Sequence, residues 1–343
     1  MREGYELFCR YIKKFLEVYL PKQRNLSPNT ARSYRTALNL FVDYLVDVRH
    51  LRLSEVGFEC IDRATIAGFL SWLEDARHCS AATRNQRLAA ISSFLSYVAT
   101  NDVSLAVPSI EVSKVPCAKA PARQMQYLSQ EAVKILLAQP DRSKPKGIRD
   151  SLILVMLYDT AARMAELLSL ELGDLKLGLK HPYVILTGKG GKSRSVPLME
   201  RTVEHIRLYY TTFHADGATF CSHLFYTRVK DSYGPMSYEN ASKMIAGYGR
   251  QAAMACPEIP LRTHAHLLRR TRAMHLYQDG VPLSYIKDLL GHSNINTTSI
   301  YAMADLGMLR AAINSIEDPL KGFAAPPDWR SEKNRLKALA GLS

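Results

Sequence analysis

The sequence predicts a mainly α-helical chain of two domains, with one short β-hairpin in the second. Three observations point there. Apolar residues recur at helical spacing through the first hundred residues and through most of the second half. A stretch with three prolines and no periodicity, "VPSIEVSKVPCAKAPARQMQY", separates the halves. One run alone, "YVILTGKGGKSRSVPL" at 183–198, has the β-rich flanks and glycine-rich tip of a hairpin. A length of 343 residues fits about two domains.

The elements follow in order. In "LSPNTARSYRTALNLFVDYLV", Ser27 is placed to cap a helix that Pro28 opens, and Tyr34, Leu38, Phe41 and Leu45 fall on one face. "DRATIAGFLSWLEDA" is a further helix. "SAATRNQRLAAISSFLSYVAT" repeats the first design with Leu88, Ile91, Leu95 and Val98, and carries Arg84 and Arg87 on its other side. Residues 1–107 thus form a small bundle, and 108–127 an extended linker. Ser129 caps the next helix, "LSQEAVKILLAQ". After the hairpin come "RTVEHIRLYYTTF", "SYENASKMIAGYGRQAA" and "THAHLLRRTRAMHLYQDG". Gly280 ends the last of these, and Pro282 starts "PLSYIKDLL", which stops at Gly291.

Composition narrows the classes. The longest apolar run, "LILVMLY" at 152–158, is far short of the roughly 18 to 20 residues a membrane span needs. The charged N-terminus has no signal-peptide core. The six cysteines are scattered with no C-x-x-C pair, which suggests neither a zinc site nor a disulfide framework and fits a reducing cytoplasm. The net charge of +13 is spread over both halves, as suits a polyanion gripped from two sides; simple solubility charge is the alternative.

Five places can carry chemistry: Arg163 in "DTAARMAELLSL", Lys189 in the hairpin tip, His266 with Arg269 in "HLLRR", His292 after the Gly291 stop, and Tyr301. His266 and Arg269 are three apart and share a helix face. With Arg163 from another helix, they would make an anion site, because guanidinium forks bind phosphate oxygens and stabilise charge growing on them. Taken singly, each has a plainer reading. Arg163 and Glu166 would be an i,i+3 ion pair, and Tyr301 a packing residue among 18 tyrosines. His264 and His266 would suggest a metal, but no third ligand is spaced nearby.

The ordered set "AAR-xx-E", "GKGGK", "H-xx-R", "LLGH" and a tyrosine nine residues after that histidine resembles the tyrosine recombinase (phage integrase) family, in its Xer-like or transposon-type form. The resemblance spans roughly residues 5 to 305. It implies a two-domain, C-shaped DNA clamp. An N-terminal SAM-like core-binding bundle (1–107) and linker (108–127) would lead to a mixed helical catalytic domain (128–305) and a tail (306–343). Arg163 and Arg269 would clamp the scissile phosphate. His266 would hydrogen-bond it and help move the nucleophile's proton. Lys189 would protonate the leaving 5′-oxygen, His292 would contact the phosphate, Glu166 would orient its neighbours, and Tyr301 would form a 3′-phosphotyrosyl link. Arg32, Arg35, Arg84, Arg87, Lys192, Arg194 and Arg270 are further candidates for DNA contact. Two departures stand out. Ala161 replaces a frequent glycine, acceptable if its φ is negative, and Arg270 replaces a frequent histidine.

The expected partner is double-stranded DNA with paired inverted sites, held in a tetrameric synapse, with a second recombinase as an open possibility and no membrane. No cofactor is expected: a phosphotyrosyl link conserves the energy of the broken bond, so rejoining needs no ATP, and with two arginines over the phosphate no metal is required. The expected setting is bacterial cytoplasm, on the nucleoid, and no arm-type accessory sites are expected. Leu306, Leu309, Ile313 and Ile316 would form a helical face given to a neighbouring protomer, or else one packed on their own domain. Two other readings compete: a type IB topoisomerase-like relaxing enzyme, and a catalytically silent DNA-binding partner.

Overall fold

The computed structural model describes residues 2–119, 125–214, 221–229, 232–291 and residue 337. His292, Tyr301 and the proposed exchange face at 306–316 lie outside the described residues. The chain divides into two units, Met1–Arg123 and Gln124–Ser343.

In the first unit the expected caps form. Helix α1 (Arg2–Lys14) runs on into a wider π-helical stretch, Phe15–Gln23, which contains Pro21. A proline has no N–H for the regular i→i−4 ladder, and the wider turn accommodates it. Helix α2 (Pro28–Asp43) starts where the Ser27 hydroxyl accepts from the Thr30 amide, and α3 (Arg63–Asp75) where the Asp62 carboxylate accepts from Thr65. Helix α4 (Ala81–Asn101) is capped in the same way by Ser80. Leu38, Phe41 and Leu45 are buried as their spacing requires, with Tyr34 half-buried beside them, and Leu88, Ile91, Leu95 and Val98 are buried opposite. Edge-on ring contacts tie the core together: Phe8 and Phe15 against Phe94, and Phe41 against Phe69 at 5.1 Å.

The stretch expected as an extended linker from 108 onward begins instead as a helix, α5 (Val107–Ser113). Pro108 sits in its first turn, where the missing N–H costs nothing, and Pro108 and Val112 are buried against the bundle with Val115. Asn85 then takes both sides of the Ala118 peptide, accepting from its N–H and donating to its carbonyl at 2.9 Å. The burial of two or three apolar groups outweighs the weak periodicity of so short a segment.

The second unit is built on α7 (Pro145–Asp159), the helix that contains the long apolar run. After its first turn it has no exposed residue, so it is hydrophobic all round because it is surrounded. Around it stand α6 (Gln130–Leu137), α8 (Met164–Leu168), α9 (Glu200–Phe213), α10 (Tyr238–Ala255), α11 (Ala265–Gln278) and α12 (Leu283–Leu290). Ser129 caps α6 and is itself held by Glu258. Buried Asp159 at the end of α7 accepts from the Met199 amide and the Thr202 hydroxyl, which fixes the start of α9. His275 of α11 bridges the Tyr158 hydroxyl at 2.8 Å and the Leu128 carbonyl at 2.9 Å.

The expected hairpin is present as β2 (Tyr183–Thr187) and β3 (Ser193–Pro197), antiparallel, with Leu186 opposite Arg194. A two-residue strand, β1 (Leu175–Lys176), joins its other edge. The hairpin is not the sole exception to the helical pattern, as the sequence suggested. A second one, β4 (Tyr226–Val229) with β5 (Ser232–Pro235), stands before α10.

Candidate active site

The first candidate arginine is not inside a helix. Helix α7 ends at Asp159, Thr160 caps it, and Ala161 turns the chain with φ +49°. The condition set for an alanine at 161, a negative φ, is therefore not met. The residue stands one beyond the cap, the position where a helix most often ends in the left-handed region and where glycine is usual. An alanine there costs roughly 1 to 2 kcal/mol of backbone strain. Its methyl is fully buried against Ala273, Met274, Ile286 and Leu290, which offsets part of that cost. The turn leaves Arg163 extended (φ −71°, ψ 146°) as the cap of α8, with its side chain about half exposed.

Glu166, one turn into α8, is the hub. One carboxylate oxygen accepts from the Arg163 guanidinium at 2.5 Å, and the other from the Arg163 amide at 3.0 Å and from Arg194 at 2.8 Å. Burial pushes this carboxyl up, but the bonds from Arg194 and Arg163 outweigh it and hold it at about 2. The plainer reading of Arg163 and Glu166 as an ion pair is thus correct as far as it goes, and the pair belongs to a larger set.

Arg194 is a correction. Among the candidates for DNA contact, it turns inward. Its side chain is 13% exposed, Nη2 donates to Glu166, and Nε donates to the Leu289 carbonyl at 2.8 Å. Alternation along β3 explains this, since Arg194 shares a face with fully buried Val196.

Arg269 is 1% exposed, the largest fully buried side chain of the described residues. Nη1 donates to the Ala161 carbonyl at 2.7 Å and Nη2 to the Leu290 carbonyl at 2.6 Å. The contacts close a ring. Arg269 holds Ala161; two residues on, Arg163 binds Glu166; Glu166 binds Arg194; Arg194 holds Leu289; and Leu290 returns to Arg269. Helix α12 then stops at Gly291, whose φ of +61° suits glycine, and the next residue is His292.

The hairpin tip reaches the same place. A Cβ added at Gly188 would stand 3.2 Å from Glu166 Oε1 and 4.0 Å from Arg163 Nη1, so the absence of a side chain lets the strand end approach the pair. The tip turns through Lys189–Gly191, with positive φ at Gly190 and Gly191, and closes where the Gly188 amide donates to the Lys192 carbonyl.

His266 lies in the first turn of α11, on the surface, with Arg269 and Arg270 one turn on. Partial desolvation, then the charges of Arg270, Arg269, His264 and Arg163, lower its imidazolium to about 4. It is neutral at pH 7 and able to accept a proton. Its neighbour His264 caps α11, accepting from the Leu267 amide through Nδ1. Among the described residues no group of three His, Cys, Asp or Glu side chains is placed to hold a metal ion.

The remaining candidates separate by exposure. Arg32, Arg35 and Lys192 are exposed, and Arg270 is half-buried. Arg84 pairs with Glu74 and bonds Asn85, while Arg87 donates to the Ser33 carbonyl, so both tie elements of the bundle together. Sequence reasoning missed Arg194 as a tie and the two backbone carbonyls on Arg269. The inward alternation of β3 was the available signal for the first; the second has none, because carbonyls are invisible in a residue pattern.

Known proteins resemble this chain over both units. The phage integrase family matches residues 126–306, and its N-terminal SAM-like domain matches residues 12–101. The Sinorhizobium fredii protein y4rC, an integrase/recombinase by name, is 31% identical over 338 residues, covering 96% of this chain and 97% of that one. A Staphylococcus aureus protein named tyrosine recombinase XerD is 30% identical over 306 residues, covering 88% of this chain and 97% of that one. The fold is that of the XerH site-specific recombinase, solved bound to palindromic difH substrate in a post-cleavage complex. Its TM-score is 0.68 at 22% identity, over 92% of this chain and 87% of that one. The chain belongs to the phage integrase family, as a tyrosine-type site-specific recombinase.

Proposed function

We propose that the protein cuts and rejoins duplex DNA at specific sites through a 3′-phosphotyrosyl intermediate on Tyr301. The observation that carries this reading is the convergence of Arg163, Arg269, His266 and the base of the Lys189 hairpin at the end of α12, which runs into His292. A phenol has a pKa near ~10 and is a weak nucleophile at pH 7 unless a base takes its proton as it attacks. Neutral His266 is suited to that, and a bound phosphate would offset part of the depression of its pKa. The Tyr301 oxygen forms a bond to phosphorus while the P–O5′ bond breaks, and O5′ takes a proton from Lys189. Arg163 and Arg269 stabilise charge on the non-bridging oxygens, with Glu166 holding Arg163 in place. Rejoining is the same sequence in reverse, so the bond energy is retained and neither ATP nor a metal is called for.

The partner is double-stranded DNA carrying paired inverted sites. In two solved structures similar to this chain, XerH is bound to palindromic difH substrate, and the Tn1549 transposon integrase is in complex with transposon right end DNA; that integrase has a TM-score of 0.65 at 16% identity, over 90% of this chain and 98% of that one. We assign DNA backbone contacts to Arg32, Arg35, Lys192 and Arg270. The core-binding domain then includes α5, and the catalytic domain starts near residue 128. Two sites would be held in a tetramer, with exchange of the 306–316 segment between protomers, in bacterial cytoplasm on the nucleoid. Among the described residues no helix is long and apolar enough to cross a membrane.

A nicked suicide substrate carrying the target site tests the reading. It should trap a covalent protein–DNA adduct with the wild-type protein and none with Tyr301→Phe. An adduct that persists in the variant would remove Tyr301 as the nucleophile.

A further inference from the structure

The hairpin tip is a short, glycine-rich turn that must deliver a proton to one atom. The bonds among its described residues are the Gly188 amide to the Lys192 carbonyl, the Gly191 amide to the Gly188 carbonyl at 3.2 Å, and the hydroxyl pair Thr187–Ser193 at 2.9 Å. None of these ties the tip to the rest of the unit. The nearest side chain that does so is Arg194, the second residue of β3, opposite Leu186. It makes two charge-assisted bonds in different directions, to Glu166 in α8 and to the Leu289 carbonyl at the end of α12. Its guanidinium also packs on Gly291, where an added Cβ would stand 2.9 Å from Nη1. Three separate elements therefore meet on one planar group: the hairpin, the helix that holds Arg163, and the helix end that precedes His292.

We infer that Arg194 is a positioning residue for general-acid catalysis: it locks the Lys189 hairpin against the Arg163–Glu166 pair and the end of α12. The inference rests on the reading of Lys189 as the proton donor to O5′. A DNA contact alone does not account for the geometry, because it leaves unexplained why one guanidinium from the hairpin is directed at acceptors on two other elements, Glu166 in α8 and the Leu289 carbonyl of α12. A lysine at 194 has a single nitrogen on a flexible stem and cannot reproduce the two-directional fork.

The consequence is specific to the leaving group. A substrate whose scissile O5′ is replaced by sulfur expels a thiolate, which needs no proton. Cleavage rates at saturating DNA are compared on the oxygen and the sulfur suicide substrates for wild type, Lys189→Ala, Arg194→Met and Arg194→Lys. Loss of a general acid slows cleavage by about 10²- to 10⁴-fold, so Arg194→Met should be slowed on oxygen by at least about 100-fold, Arg194→Lys by less, and DNA affinity should hold. On sulfur, both Lys189→Ala and Arg194→Met should approach the wild-type rate. The sulfur-to-oxygen rate ratio is taken on one preparation, so it does not depend on the fraction of protein that is folded. A rescued Lys189→Ala beside an Arg194→Met that is equally slow on both substrates would overturn the assignment while leaving Lys189 as the acid. Weakened DNA binding with an unchanged rate at saturation would also overturn it, in favour of a DNA contact. A Lys189→Ala that sulfur does not rescue would remove Lys189 as the acid, and the role of Arg194 with it.

Discussion

In the N-terminal unit Arg32 and Arg35 stand exposed on α2, while in the C-terminal unit Arg194 and Arg269 lie inside, each bound to two protein acceptors. The side chain is the same and the physics is opposite. An exposed guanidinium keeps its water and meets a polyanion through long-range, salt-screened attraction. A buried one has lost its water, and fixed carbonyls and a carboxylate replace it, so its position is set before any substrate arrives. The first arrangement suits grip along a backbone. The second suits the holding of one phosphate, or of the groups that hold it, to a fraction of an ångström. The half-buried Arg84 and Arg87 stand between these cases and serve the bundle itself.

The contrast is broken most severely at its single carboxylate. Glu166→Ala leaves Arg194 mostly buried without its anion, and removal of one partner of such a pair costs about 3 to 5 kcal/mol. Urea melts should show a loss of this order at pH 7. Because the Glu166 carboxyl is depressed from 4.5 to about 2, its contribution is complete above its unfolded value and fades as pH falls from about 4.5 towards 2. The difference between variant and wild type should therefore begin to close below about pH 5. A difference that is constant down to pH 4 would contradict the ring of contacts.

The next effect is on proton transfer. With His266 lowered to about 4 by desolvation and by Arg270 and its other cationic neighbours, the acid limb of the cleavage rate should lie below the ordinary histidine value of 6.5. Arg270→Gln removes one of those charges and should move the limb upward. A wild-type limb at or above 6.5 would mean that another group takes the proton.

The smallest effect sharpens the comparison at Ala161. Ala161→Gly relieves roughly 1 to 2 kcal/mol of left-handed strain but removes a buried methyl worth about 0.8 kcal/mol and adds chain entropy to the unfolded state. The urea midpoint should move by less than about 1 kcal/mol equivalent. A large loss would show that the methyl, rather than the backbone turn, holds in place the Ala161 carbonyl that accepts from Arg269.

Much of this was legible before any coordinates. Ser27, Ser80 and Ser129 announce their helices because a capping hydroxyl and a following apolar period are local signals. The first hairpin shows in its glycines. The second does not, because the sequence between Val229 and Ser232 carries no Asn-Gly or Asp-Gly signature. Helix α5 was hidden by the prolines of its stretch, one of which, Pro108, stands in its first turn. At the site, residue types and order pointed to Arg163, Glu166, His266 and Arg269, and the structure brings these together. What the reading missed was direction. That Arg194 faces in had a signal in the alternation of β3. That Arg163 caps a helix rather than riding in one, and that Ala161 is left-handed, had none, because the turn between them is held where the Ala161 carbonyl meets Arg269 from a distant helix, and a carbonyl has no letter in the sequence.

The central claim is that arginines fixed by protein acceptors at the site act on the reaction, and the exposed arginines of α2 on affinity. The direct measurement is the rate of covalent adduct formation at saturating suicide substrate, together with DNA affinity across salt concentrations, for Arg269→Lys and Arg32→Ala. Arg269→Lys should lose at least about 100-fold in rate, as for a missing transition-state donor, with affinity little changed. Arg32→Ala should keep its saturated rate, bind more weakly, and reduce the salt slope by about 1. A slow but tightly bound Arg32→Ala, or an Arg269→Lys that is merely weak in binding, would contradict the account.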